Sequence, residues 1–261
     1  MHKPTLKERL KNGETVFGTW NSIASSSLVN VIGCSGIDFL VIDAEHGPIN
    51  MESAENLIRA AELSGTAAII RVSDDSSCKT LRALDIGAHG VQVPHVSTKA
   101  QAEQVVKNSK YHPLGDRGFS PFTRAGKYGL QANEHTKRSN ENTMVVINVE
   151  GLEGVENLPG IAEVEGIDVI FIGPYDLSQS LGKPGDVEDI QVIDNIKKCV
   201  KICKDKDLAC GSFARDLKYL DILLDCGVQY ITYSVDSAIL RETYKGLYET
   251  FNEKRKARAG E

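Results

Sequence analysis

The chain has 261 residues, 41% hydrophobic and 25% charged, the composition of a folded protein long enough to bury a core without disulfide or metal staples. Thirty basic residues against 36 acidic ones leave a net charge of −6, and aromatics are only 6%, which disfavours nucleic acid as a partner on both electrostatic and stacking grounds. No stretch approaches the roughly 18 uncharged apolar residues of a membrane span, and the opening MHKPTLKERLKNGE lacks the apolar core of a leader peptide. Length alone leaves one large domain or two small ones, with α/β barrels the usual single-domain case at ~250 residues. The cysteines Cys34, Cys78, Cys199, Cys203, Cys210 and Cys226 form no C-x-x-C pair. They read as reduced, packed thiols of a cytoplasmic protein.

In chain order, short apolar runs alternate with amphipathic segments. The runs are TVFGTW (15–20), IDFLVID (37–43), AAIIRV (67–72), HGVQVP (89–94), TMVVINVE (143–150), IDVIFIG (167–173), LACGSF (208–213) and VQYITYS (228–234). Apolar on consecutive positions and mostly rich in β-branched residues, they predict strands buried on both faces of a parallel sheet. Between them, residues 53–63, 190–206 and 215–225 carry helical stripes such as Ala54, Leu57, Ile58 and Ala61. Eight strands separated by helices predict an α/β fold, a single (β/α)₈ TIM barrel over residues 1–261. No G-x-G-x-x-G follows a strand, which counts against an open nucleotide-binding sheet. Residues 111–142 interrupt the alternation as a long polar connection, open to a lid, a subunit contact or a plain surface insertion.

In such a barrel the chemistry sits at the carboxyl ends of the strands. The strand ends place Trp20 first, then Asp43-Ala44-Glu45-His46-Gly47, Arg71, Asn148-Val149-Glu150 and Gly173-Pro174-Tyr175-Asp176, with Ser212 and Asp236 at the last two. Glu150 and Asp176, on neighbouring strands, suit a hard divalent ion, Mg²⁺ or Mn²⁺, or else cap the helices that follow. His46 with Asp43 fits a proton carrier and its carboxylate partner, or a satisfied loop histidine beside a turn cap. Arg71 closes a buried apolar strand and needs an anion: a substrate carboxylate, an enolate oxygen, or Glu45 or Asp43 as a structural partner. None of the eight runs contains a lysine, so carbonyl chemistry here points to a metal rather than a Schiff base as electron sink. The seventh and eighth runs show no Gly-Gly phosphate cradle.

Taken together, D-x-E-H-G-P after the second run, the third-run arginine, V-P-x-V, G-x-R-G, V-E and F-I-G-P-x-D-L-S resemble the metal-dependent pyruvate aldolases of the HpcH/HpaI type, from about Gly18 to beyond residue 240. The family includes 4-hydroxy-2-oxoheptanedioate and 2-dehydro-3-deoxyglucarate aldolases. The resemblance implies that Glu150 and Asp176 ligate Mg²⁺, Mn²⁺ or a similar ion such as Co²⁺, and that pyruvate binds there, beside Gly173, Pro174 and Tyr175, with the turn around Gly173 to Asp176 offering backbone N–H groups to its carboxylate. It implies Arg71 on the enolate oxygen, His46 held by Asp43 as base, Asp85 lent to a neighbouring subunit's site, and Trp20 and Phe213 lining the mouth. Partners so implied are pyruvate, a small aldehyde and further copies of the chain, as trimer or hexamer, with the 236–261 helix packed on its own barrel or exchanged. Asn148 stands where many members have Gln, and Tyr175 where many have a small residue, so both bear on the acceptor. Three functions remain in view: a lyase cleaving a 4-hydroxy-2-oxo acid through a metal-stabilised pyruvate enolate, an oxaloacetate decarboxylase using the same enolate, and a non-catalytic barrel.

Overall fold

The structure, a computed structural model, describes residues 4–130 and 132–259. Residues 1–3, 131, 260 and 261, which fall within the expected 1–261 domain, 111–142 connection and 236–261 helix, lie outside the described residues. Eight strands close one parallel barrel in sequential order. They are β1 (Val16–Asn21), β2 (Phe39–Asp43), β3 (Ala67–Arg71), β4 (Gly90–Val93), β5 (Met144–Val149), β6 (Val169–Ile172), β7 (Ala209–Ala214) and β8 (Tyr230–Val235). Each coincides with one of the eight apolar runs to within two residues at either end. The helices in chain order are α1 (Leu6–Lys11), α2 (Ser26–Cys34), α3 (Met51–Leu63), α4 (Ser77–Asp85), α5 (Lys99–Ser109), α6 (Ala132–Asn142), α7 (Leu152–Ile161), α8 (Pro174–Ser180), α9 (Ile190–Asp205), α10 (Leu217–Cys226) and α11 (Asp236–Ala259).

The alternation of side chains along each strand divides the apolar residues into two cores. Leu40, Ile42, Ala68, Ile70, Val91, Val93, Val145 and Ile147 face outward and meet the helices. Phe39, Val41, Ile69, Met144, Val146, Val169, Phe171 and Tyr230 fill the interior, with Leu6 and Leu10 of α1 closing its amino end. Phe39 and Tyr230 stack with centroids 4.1 Å apart. That stack needs space opposite it, and Gly18 supplies it: a Cβ there would come within 2.6 Å of the Phe39 ring and carbonyl. At the end of α10, Gly227 adopts φ +83°, the left-handed conformation in which glycine stops a helix without a Cβ clash.

The 111–142 segment is more ordered than its polar composition suggests. It contains α6 and three buried anchors, Tyr111, Arg117 and His135. The Arg117 guanidinium lies 4.4 Å over the Tyr111 ring, whose hydroxyl bonds His135 at 3.1 Å. Aromatic and cation–π contacts replace the apolar stripe that marks other helices. At the chain end α11 carries Tyr244, Leu247, Tyr248 and Phe251 exposed. Among the described residues no helix is long and apolar enough to cross a membrane.

Phe39→Ala is expected to cost about 3–5 kcal/mol, because the interior cannot collapse onto the space vacated beside Tyr230. Urea titration checks this, and an unchanged midpoint would show that the stack is dispensable.

Candidate active site

Because all eight strands run the same way, their last inward-facing residues meet at one mouth. Asp43 ends β2, Arg71 ends β3, and the two are register partners. Arg71 Nε donates to Asp43 Oδ1 at 3.0 Å and Nη2 to Oδ2 at 2.7 Å, a two-point pairing. Its Nη1 lies 3.1 Å from Glu45 Oε2, and its carbon centre sits 4.2 Å over the Trp20 ring. Trp20 is itself tied down by its indole N–H donating to Thr232 Oγ1 at 2.9 Å. The guanidinium is thus held on two sides and from below. Burial opposes the charge on Asp43, but Arg71 and the N–H groups of His46 and Glu45 outweigh it and hold its carboxyl below the usual range.

Across the mouth, Glu150 follows β5 and Asp176 lies in the first turn of α8. Neither is a helix cap, since Gly151 caps α7 and Gly173 caps α8. Both reach the same place: a Cβ on Gly173 would meet Asp176 Oδ2 and Glu150 Cγ, each at 3.3 Å. Burial raises the Glu150 carboxyl, and the charges of Asp176 and Glu45 raise it further, against the opposing pull of Asn148 and His95. Asn148 donates to Glu150 Oε1 at 2.9 Å.

The sequence-predicted residues divide by position. Asp43, Arg71, Trp20, Asn148, Glu150 and Asp176 meet at the mouth, and Tyr175 and Phe213 join them at the rim with rings 5.9 Å apart. In the Gly173–Asp176 turn, Gly173 N–H already donates to the Val149 carbonyl at 3.2 Å and proline has no N–H. The free first-turn donors are therefore those of Tyr175 and Asp176. His46 is exposed, and Asp43 reaches its backbone N–H at 3.1 Å rather than its ring, because both carboxylate oxygens face Arg71. Asp85 ends α4, at the amino end of its own barrel, where it accepts from Arg117 at 2.7 Å; it does not reach the mouth of that barrel. A cavity of about 990 Å³ opens at that amino end and is lined by Arg117, Arg124 and His89, away from the carboxylates. Asp236 is buried and accepts from Asn21, Ser22 and Ile23, tying the β1 loop to α11.

Two residues escape the strand-end reading. His95, just past β4, has a left-handed backbone (φ +59°) and a 71%-exposed side chain whose Nδ1 lies 2.6 Å from Glu150 Oε2 and Nε2 3.3 Å from Glu45 Oε1. The signal was the histidine within V-P-x-V, at the one strand end not otherwise assigned. Gln92 faces the interior, fully buried. A single polar residue in an apolar run was the only cue.

Asp43 and Glu45 thus share the one guanidinium of Arg71, while Glu150 and Asp176 lie across the mouth from it. That surplus of negative charge and the all-oxygen donor pair fit a hard divalent cation held by Glu150 and Asp176 with open positions. Among the described residues no group of three or more His, Cys, Asp or Glu forms a ready-made metal cluster.

A model of the family "HpcH/HpaI aldolase/citrate lyase" matches residues 17–243. A hydroxypyruvate/pyruvate aldolase of Roseobacter denitrificans is 35% identical over 93% of this chain and 95% of its own. A 2-keto-3-deoxy-L-rhamnonate aldolase of Salmonella gallinarum is 34% identical over 91% of this chain and 89% of its own. Among solved structures, the citrate synthase SbnG superposes with TM-score 0.86 at 34% identity, covering 96% of this chain and 98% of its own.

Two outcomes follow from the charges. Stability supplied by the Asp43–Arg71 pair is present above the ordinary carboxylate value of 3.8 and lost as pH falls through the depressed value in the folded protein, so Asp43→Asn should flatten the acid limb of a stability–pH curve. An unchanged limb would remove the pair from that role. Mn²⁺ at a hundredfold excess over its Kd should stabilise the unaltered protein by about 2.7 kcal/mol and Glu150→Gln not at all. Without metal the variant should melt higher, since the amide escapes burial and repulsion. Equal Mn²⁺ shifts in both proteins would count against a cation at Glu150.

Proposed function

The chain belongs to the HpcH/HpaI aldolase/citrate lyase family, and from that premise we propose that it is a divalent-metal-dependent pyruvate aldolase. It would cleave a 4-hydroxy-2-oxo acid, dicarboxylic or of sugar-acid type, reversibly to pyruvate and an aldehyde. The observation that carries this reading is the Arg71 guanidinium, clamped by Asp43, underlain by Trp20, and facing a mouth that also holds Glu150 and Asp176. Glu150 and Asp176 would hold a divalent cation, Mg²⁺, Mn²⁺ or Co²⁺, which would supply Lewis-acid polarisation of the keto group.

In this reading the chain's own residues do the rest. Arg71 has five N–H donors, of which Asp43 and Glu45 engage only part. Those remaining stabilise the oxygen where negative charge develops, and a donor already oriented needs no reorganisation at that moment. His46 moves the proton at the pyruvate methyl, its backbone pinned by Asp43 and its ring at the solvent side. The N–H groups of Tyr175 and Asp176 receive the pyruvate carboxylate, while the Tyr175 and Phe213 rings shape the acceptor end. Asp85 can join a site only across a subunit boundary, so its role in this reading requires a homo-oligomer, trimer or hexamer. The setting proposed is cytoplasmic; Cys199, Cys203 and Cys210 are packed as expected, whereas Cys34 and Cys78 are exposed.

Exchange of the pyruvate methyl protons in D₂O tests the reading. It should require Mg²⁺ or Mn²⁺, stop on adding EDTA, and slow by about 10²–10⁴ in His46→Ala, the usual contribution of a positioned acid–base group. Exchange that survives chelation would defeat the proposal. CO₂ release from oxaloacetate without any aldehyde turnover would move the assignment to the decarboxylase.

A further inference from the structure

Glu150 has two carboxylate oxygens, and each is gripped from a different side. Oε2 is held from the solvent side by His95, through the ring at 2.6 Å and the backbone N–H at 3.3 Å. Oε1 is held from inside the barrel by the Asn148 amide at 2.9 Å. Asn148 is 2% exposed, and its own carbonyl oxygen accepts from Gln92 Nε2 at 2.8 Å. Gln92 is fully buried, and its carbonyl oxygen receives the hydroxyl of the equally buried Tyr230 over a longer 3.5 Å.

The links share one polarity. A side-chain amide has a donor end and an acceptor end, so orienting one end orients the other. Gln92 donates to the Asn148 oxygen, which turns the Asn148 nitrogen toward Glu150. Without that donor, Asn148 loses the second bond that fixes its amide, and its donation to Glu150 is no longer held in one direction. No apolar residue at position 92 can supply the donor, and of its register partners on the neighbouring strands Val146 has no polar side-chain atom and Arg71 is engaged by Asp43 and Glu45.

We infer that Gln92 is a positioning residue that, through Asn148, aims the Glu150 carboxylate as a cation ligand. The inference rests on the aldolase reading only in taking Glu150 as a ligand. Partners that orient metal ligands in this way are separated from the ion by one bond network, and their loss characteristically weakens metal binding without removing a ligand.

The test is Mn²⁺ affinity without substrate, read from the electron paramagnetic resonance of free Mn²⁺. Gln92→Asn, one methylene too short to reach Asn148, should weaken binding about tenfold. Gln92→Asn combined with Asn148→Gln moves the methylene across the contact, restores its overall length, and should recover most of the affinity. Gln92→Met, close in volume and without a donor, should show the loss with no recovery by Asn148→Gln, and serves in its place should Gln92→Asn not fold by circular dichroism. A folded Gln92→Asn or Gln92→Met protein with unaltered Mn²⁺ affinity would overturn the inference, as would failure of the exchanged pair to recover. Absence of Mn²⁺ binding in the unaltered protein would overturn it together with the metal reading. Normal binding that Glu150→Gln leaves intact would remove Glu150 from both.

Discussion

Burial of several carboxylates together at the barrel mouth sets what the groups around them must supply. Asp43, Glu45, Glu150 and Asp176 approach one another, and among the described residues Arg71 is the one arginine or lysine paired with any of them. Carboxylates brought together in a partly buried place raise one another's proton affinity unless something positive or hydrogen-bonding intervenes. On the β2–β3 side the intervention is Arg71, and Asp43 ionises more readily than usual as a result. On the β5–β6 side it is only Asn148 and His95, and Glu150 is left with a raised carboxyl. The asymmetry separates a closed, self-satisfied ion pair from an acidic pair that gains most from a divalent cation.

The scaffold makes that arrangement rigid. The acidic and basic groups sit on strand ends whose lower residues are locked by the Phe39–Tyr230 stack, the Gly18 recess and the Trp20 indole bond. An active-site guanidinium resting on a tryptophan that is itself bonded to Thr232 loses little freedom when a substrate oxygen arrives. The hydrogen bonds running from Tyr230 to Glu150 extend the same economy of motion into the barrel interior. The interior is apolar below and polar at the top, and Gln92 and Asn148 mark the boundary.

Much of this was legible before any coordinates. All eight strands follow from consecutive apolar positions, because a strand buried on both faces cannot tolerate a charge. Asp43, Arg71, Glu150 and Asp176 were found because strand ends are the only places where such a strand can carry a charged side chain into a shared space. What escaped has equally physical causes. His95 follows a proline and takes a left-handed backbone, so no alternation rule points its ring anywhere. The partner of Asp43 was open between Arg71, at the end of the next strand, and His46, three residues on; register pairing of β2 with β3 settled it in favour of Arg71. Helix α6 has almost no apolar stripe and is anchored instead by Tyr111, Arg117 and His135, contacts between residues up to 24 apart.

Local sequence pattern determined the element types, the barrel count, and the identity of the acids and the arginine that face one mouth, because each of these depends on residues within a few positions of one another. Tertiary structure alone decided which carboxylate holds Arg71, that Asp85 stands at the wrong end of its own barrel, and that Gln92 reaches Glu150 through Asn148. Those depend on strand register and on the direction of side chains 28 to 56 residues apart, and a closed sheet sets both only when all eight strands have paired.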